Sequence, residues 1–150
     1  MKIIISPYSK KLRNGNNNPK NYPYWEELVL LLKNDNYIIQ IGVDGEGFIK
    51  GCNEYKFNLS FKELEDLTLS CDSYISVDNF YPHFCNTIGK YGVVIWGQSN
   101  PKLFGYKNNI NIFKNIKYFR DNQFFIWEQC KFKKDSFCSA NEIFQKIKSL

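Results

Sequence analysis

Four short stretches of this 150-residue chain carry side chains suited to binding an anion or a polyol. The first begins at Ser6 and runs through Lys10, Lys11 and Arg13 to Lys20. The second, Gly42–Gly47, holds Asp44 and Glu46. Asp78–His83 brings Asp78 and the chain's single histidine, and Gly97–Pro101 brings Gln98 and Ser99. Cations beside helix N-termini suit a diphosphate, because ammonium groups and free backbone N–H groups both favour negative charge. A carboxylate in the same place accepts hydrogen bonds from ribose or sugar hydroxyls. Neither familiar phosphate loop is present. Gly42-Val43-Asp44-Gly45-Glu46-Gly47 spaces its glycines wrongly for G-x-G-x-x-G, and the chain has no P-loop lysine. Both observations argue against a simple dinucleotide dehydrogenase or a P-loop NTPase.

The hydrophobic pattern predicts the elements that position these stretches. Lys2–Ser6 is all aliphatic and reads as a strand buried on both faces. After an asparagine-rich loop, Pro23 suits a first helical turn, and the helix continues over 25–33. Tyr37–Ile41 reads as a second buried strand and Tyr55–Leu59 as a weak third. Ser60 and Glu63 form a capping box that opens a helix over Phe61–Ser70, with Leu64, Leu67 and Leu69 on its inner face. Strands are expected at Ser73–Val77 and Tyr91–Trp96, with a short helix between them that begins after Asp78 and runs toward Ile88, ending at Gly89. Asn111–Phe113 suits an edge strand, 114–137 is irregular and aromatic, and a second capping box at Ser139 and Glu142 opens a terminal helix. Strands alternating with helices at this spacing call for a doubly wound, mostly parallel sheet in a three-layer α/β/α domain spanning 1–150. In such sheets ligands bind beyond the carboxyl ends of the strands, where the four stretches lie.

Composition narrows the class further. Hydrophobic residues make up 43% and charged residues 23%, a globular balance. The net charge of +5 favours anionic partners, but the lysines are spread along the chain rather than gathered into a nucleic-acid footprint. No apolar run reaches the ~20 residues of a membrane span, and the start does not read as a signal peptide. Five cysteines without a C-x-x-C pair fit reduced thiols in the cytoplasm, with Cys130 and Cys138 free. One histidine leaves little for a metal site, so neither metal nor cofactor is expected. Trp25, Trp96 and Trp127 are expected to pack the core.

Over roughly residues 3–105 the chain resembles the nucleotide-sugar-binding, C-terminal lobe of heptosyltransferase-like glycosyltransferases, family nine, of GT-B fold. Their signature leads from a buried strand into D-[S/T]-G-x-x-H, then a helix ending in Gly, an apolar strand and a G-x-[T/S]-x-P loop. Similar parts here are Ile75-Ser76-Val77, Asp78-Asn79-Phe80-Tyr81-Pro82-His83, Ile88-Gly89, Val93–Trp96 and Gly97-Gln98-Ser99-Asn100-Pro101. Upstream, Ser6 with Lys20–Trp25 is similar to the family's first strand and K-x-W-P helix start, and Gly42…Glu46 to its G-x-x-x-E loop.

The resemblance implies that Ser6 and Lys20 contact a diphosphate, and that Glu46 binds the ribose or lies beside the base. Asp78 would bind the sugar, while His83 and the amides after Asp78, beginning with Asn79, face the phosphates. Gln98 and Ser99 belong to the loop that completes the site. Simpler roles stand beside these: Asp78 as a helix cap, His83 as a hydrogen-bonded structural residue, and Lys20 as a solvated loop lysine. Phe80 departs from the family, taking the glycine's place where backbone approaches the ligand. The chain also resembles only the second lobe, so the acceptor lobe with its catalytic base is expected elsewhere. The implied function is the donor half of a glycosyltransferase binding an ADP-, UDP- or GDP-linked sugar. The alternatives are a non-catalytic nucleotide or nucleotide-sugar binding module, or an oligomeric scaffold that keeps only the fold. A homo-oligomer or a separate acceptor-lobe protein is the expected partner.

Overall fold

The computed structural model describes residues 1–149; Leu150, the last residue of the expected domain, lies outside the described residues. Six strands, β1 (Lys2–Ser6), β2 (Tyr37–Gly42), β3 (Glu54–Phe57), β4 (Ser73–Val77), β5 (Val93–Trp96) and β6 (Ile110–Phe113), form one sheet. The spatial order is β3-β2-β1-β4-β5-β6, and every neighbouring pair is parallel. This is a doubly wound, Rossmann-like arrangement, in which the strand order reverses between β1 and β4. Connecting helices are α1 (Trp25–Leu32), α2 (Phe61–Leu69), α3 (Phe80–Thr87), the short α4 (Pro101–Phe104) and the terminal α5 (Ala140–Lys148).

Side-chain alternation in β1 explains why the sheet must be covered on both sides. Ile3 and Ile5 join one core with Trp25, Leu28 and Leu32 of α1 and Ile143 of α5. Ile4, pointing the other way, joins a second core with Leu64 of α2 and Tyr81 and Cys85 of α3. The aliphatic run predicted this burial, and all three isoleucines are within 2% of fully buried. Both capping boxes form, at Ser60 with Glu63 and at Ser139 with Glu142.

The differences from expectation have local causes. Leu69 is 55% exposed, and Thr68 takes the inner position instead. Thr68 lies four residues after Leu64, on the same helical face, while Leu69 falls about 140° away from it. Its hydroxyl is satisfied by the Leu64 carbonyl at 2.6 Å and the Tyr81 hydroxyl at 2.8 Å. Pro23 lies in the turn before α1 rather than in its first turn. The third strand runs Glu54–Phe57 because Asn58, at φ 56°, turns the chain out of extended geometry. The fifth begins only at Val93, since Gly92 passes directly against β4.

A Cβ at Gly92 would collide with the Tyr74 carbonyl oxygen and meet the Tyr74 ring at 2.7 Å. Gly92→Ala is therefore expected to lose about 1–3 kcal/mol of unfolding free energy in urea denaturation, the cost of overpacking against a backbone that must shift.

Candidate functional site

The loops leaving β1, β2 and β4 enclose an open cleft of about 1420 Å³ at the point where the strand order reverses. Its size exceeds the ~300–1,000 Å³ common for small-molecule pockets, leaving room for an extended ligand. The connection from β1 to α1 supplies most of its cations, Lys10, Lys11 and Lys20. That loop is shaped by its own asparagines. Asn18, buried, donates to the Lys10 carbonyl at 3.1 Å and accepts from the Lys20 N–H at 3.1 Å. Asn21 accepts from the Ser9 N–H at 2.7 Å, and Trp25 anchors the start of α1 by donating from Nε1 to the Pro7 carbonyl at 3.1 Å.

Asp78, at the carboxyl end of β4, is 6% exposed and takes the Lys20 ammonium against Oδ2 at 2.9 Å. The ammonium approaches outside hydrogen-bonding angles at that oxygen, so the contact is an ion pair rather than a directed bond. Lys20 is thus neither free nor fully solvated; its side chain is 21% exposed. Lys10 and Lys11 form no ion pair among the described residues.

Asn79, not Asp78, caps α3. Its Oδ1 accepts from the Tyr81 N–H at 2.9 Å and from the Ser76 hydroxyl at 3.1 Å. Its Nδ2 donates to the Tyr8 carbonyl at 2.9 Å and to Ser6 Oγ at 3.0 Å. The amide is therefore consumed in joining the ends of β1 and β4. Ser9 reinforces the joint by donating to the Asp78 carbonyl at 2.7 Å.

Glu46 lies in the cleft with Oε2 accepting from the Val43 N–H at 3.0 Å. Burial raises its carboxyl above the ordinary value, and the Val43 bond only partly offsets that. Gly42 makes room for it, since a Cβ there would come within 2.6 Å of Oε2. His83 also lines the cleft and is exposed, its Nδ1 2.9 Å from the Tyr106 hydroxyl.

Six of the eight predicted residues, Ser6, Lys20, Glu46, Asp78, Asn79 and His83, line this one cleft. Gln98 and Ser99 do not. Both are buried beneath residues 120–131, where Gln98 donates to the Lys131 carbonyl at 2.9 Å and accepts on its own carbonyl from Arg120 and Gln123. The loop was expected at the site because it follows a strand end; the irregular segment that covers it has no periodicity to announce its path. Phe80, at the family's glycine position, is 55% exposed and lies against Phe61 and Phe84 at 5.9 and 5.7 Å between ring centroids. Trp127 is not a core residue: it is half-buried beside the cleft, with Lys20 Nζ over its ring at 4.9 Å. All five cysteines are free thiols, and no group of His, Cys, Asp or Glu among the described residues could hold a metal ion. No helix among the described residues is long and apolar enough to cross a membrane.

Comparison with solved structures finds the same fold in sugar-transferring enzymes. E. coli ADP-heptose LPS heptosyltransferase II superposes on 99% of this chain at 11% identity and TM-score 0.65, over 45% of its own length. E. coli heptosyltransferase WaaC with ADP matches 98% of the chain at 16% identity and TM-score 0.66, over 43% of its length. The dodecameric iron-containing heptosyltransferase TibC, in complex with ADP-D-beta-D-heptose, matches 99% at 15% identity and TM-score 0.69, over 46% of its length. The chain thus has the Rossmann-like fold of a heptosyltransferase GT-B lobe, and spans just under half the length of the enzymes it matches. No protein-family model matches the sequence, and no curated protein does.

Two measurements follow from this geometry. Asn79→Ala removes the cap of α3 and the clamp on β1 together, and is expected to lose about 2 kcal/mol in urea unfolding. Because the Glu46 carboxyl is raised in the folded state, folding binds protons between 4.5 and the raised value, and stability falls as pH rises through that window. Glu46→Gln, which keeps the Val43 bond, is therefore expected to be the more stable protein at neutral pH. The gap should close on acidification below the ordinary carboxylate range, as followed by thermal unfolding against pH.

Proposed function

We propose that the chain is the donor-binding lobe of a heptosyltransferase-like glycosyltransferase, taking a nucleotide diphosphate-sugar in the cleft between β1 and β4. The observation that carries this reading is the gathering of Lys10, Lys11, Lys20, Glu46, Asp78 and His83 around the switch point of a heptosyltransferase-type fold. The structural neighbours include one bound to ADP and one bound to ADP-D-beta-D-heptose, which supports an ADP-linked sugar first, with UDP and GDP as competitors.

In this reading the diphosphate lies between the lysines of the β1 loop and the N-terminus of α3, where the helix dipole favours negative charge. His83 adds a donor. Glu46 binds ribose hydroxyls through Oε1, its Oε2 being engaged with Val43. Asp78, already the partner of Lys20, receives a sugar hydroxyl, and ligand phosphate takes over part of the Lys20 charge. The lysines and helix end stabilise the diphosphate as it departs with the bonding electrons. The acceptor, and the base that removes its proton, come from a second polypeptide or a second copy. The absence of paired cysteines fits a cytoplasmic setting.

A non-catalytic nucleotide-sugar binding module is the second reading, favoured by Phe80, whose ring stands where the family's glycine leaves backbone open.

Calorimetric titration with ADP, UDP, GDP and their sugar conjugates tests the proposal. One nucleotide is expected to bind, with Lys20→Ala and His83→Ala each weakening it about tenfold, the worth of a charge-assisted contact. Asp78→Asn should weaken the sugar conjugate more than the bare nucleotide. No heat from any of them would overturn the donor-lobe assignment. Transfer to an acceptor, once a partner is supplied, separates enzyme from binding module.

A further inference from the structure

Lys20 sits in a more constrained setting than an ion pair with Asp78 alone. Its ammonium also lies over the Trp127 ring, 4.9 Å from the centroid, and the Arg120 guanidinium lies over the same ring at 4.2 Å. Trp127 does not itself line the cleft, and it meets a cleft-lining residue at Lys20. The indole is itself held in place. It opens a 3-10 turn, Trp127–Gln129, closed by the Cys130 N–H donating to the Trp127 carbonyl at 2.9 Å. Arg120 Nη2 donates to the Phe125 carbonyl at 2.8 Å and the Ile126 carbonyl at 3.3 Å, immediately before that turn. The Arg120 N–H donates to the Gln98 carbonyl at 3.0 Å, anchoring the arrangement to the end of β5.

The next residue of the turn reaches the same loop from a second point. Glu128 Oε1 accepts from the Arg13 N–H at 3.3 Å and lies 3.8 Å from Arg13 Nε. The turn therefore touches the cation-bearing β1 loop at both Arg13 and Lys20, across a stretch otherwise tied down by asparagine bonds.

We infer that Trp127 is the positioning residue for Lys20: its ring face holds the ammonium at the cleft wall, so that the charge meets an incoming diphosphate already placed. An aromatic face attracts a cation without neutralising it, unlike a carboxylate. Lys20 is thus shared between Asp78, which cancels its charge, and Trp127, which keeps its position when the ligand's oxygens displace Asp78. A flexible lysine stem ordered in advance loses less entropy on binding. Gln98 contributes at one remove, by anchoring Arg120. This inference rests on the diphosphate reading of the cleft, but its structural half does not.

The test pairs a ligand-free measurement with a binding one. In the ligand-free protein, the Lys20 ε-methylene proton resonances are expected to be shifted upfield by the indole ring current, and to return to ordinary values in Trp127→Leu. In titrations with inorganic pyrophosphate, Trp127→Leu is expected to bind about tenfold more weakly than the wild type, and Trp127→Phe to recover most of the loss. Lys20→Met/Trp127→Leu should bind no more weakly than Lys20→Met, whereas a role in general packing would add a further loss. An unshifted Lys20 resonance, an unchanged Trp127→Leu affinity or an additive double variant would each overturn the inference. If Trp127→Leu does not fold, Trp127→Phe against Trp127→His, in the presence and absence of Lys20, serves the same comparison. A shifted resonance with no pyrophosphate binding by the wild type would overturn the diphosphate reading, and with it the ligand role given to Trp127.

Discussion

The carboxamide of Asn79 spans the gap that the sheet topology creates. Where strand order reverses, the chain leaving β1 turns to one face and the chain leaving β4 turns to the other, so the two exits diverge. Divergence opens a cleft, but it also strands the backbone groups at both strand ends. Asn79 satisfies groups on each side at once, Tyr8 and Ser6 on one and Tyr81 on the other. One residue therefore starts α3 and ties it to the point where the β1 loop departs. Its neighbour Asp78 is left free of capping, and its carboxylate is available to Lys20.

Charge in the cleft is arranged around that joint with unequal commitments. Lys20 is paired with a buried carboxylate, whereas Lys10 and Lys11 stand without an ion pair among the described residues. Burying the Lys20–Asp78 pair is tolerable because each charge compensates the other's lost hydration; removing either alone would leave the remaining one exposed to that penalty. Glu46 has no such partner. It keeps a raised affinity for its proton, and only the Val43 N–H eases its desolvation. The cleft is thus lined by four lysines, Lys20 paired with Asp78, Lys56 paired with Glu54, and Lys10 and Lys11 without an ion pair among the described residues, against the three carboxylates of Asp44, Glu46 and Asp78, a small positive excess that favours an anionic ligand.

Much of the scaffold was legible from residue patterns. The isoleucines of β1, the apolar run of β5 and the two capping boxes follow from short-range rules of periodicity and hydrogen-bond satisfaction, and their boundaries hold within a residue or two. Where periodicity is weak, apolarity alone misleads: Leu69 is apolar, but the helical angle puts Thr68 inward, and a hydroxyl with two partners is a stable core group. The loop residues gathered in the cleft were found by their position after strands rather than by any local structure of their own. The capping role that Asp78 offered on sequence grounds falls to the next residue, because only Asn79 has both a donor and an acceptor to reach β1 and α3 together.

The sequence by itself determined a parallel α/β sheet covered on both faces and the end of that sheet at which the cleft opens. Hydrophobic period and chain direction settle both, since they act over a few residues at a time. Only the tertiary structure decided which loops meet. It buried Gln98 and Ser99 under residues 120–131, and brought Trp127 from that same aperiodic stretch onto Lys20. Those outcomes depend on where a segment without regular structure crosses the sheet's edge, and its path is set by distant partners such as Gln98, Arg120 and Arg13 rather than by its own residues in order.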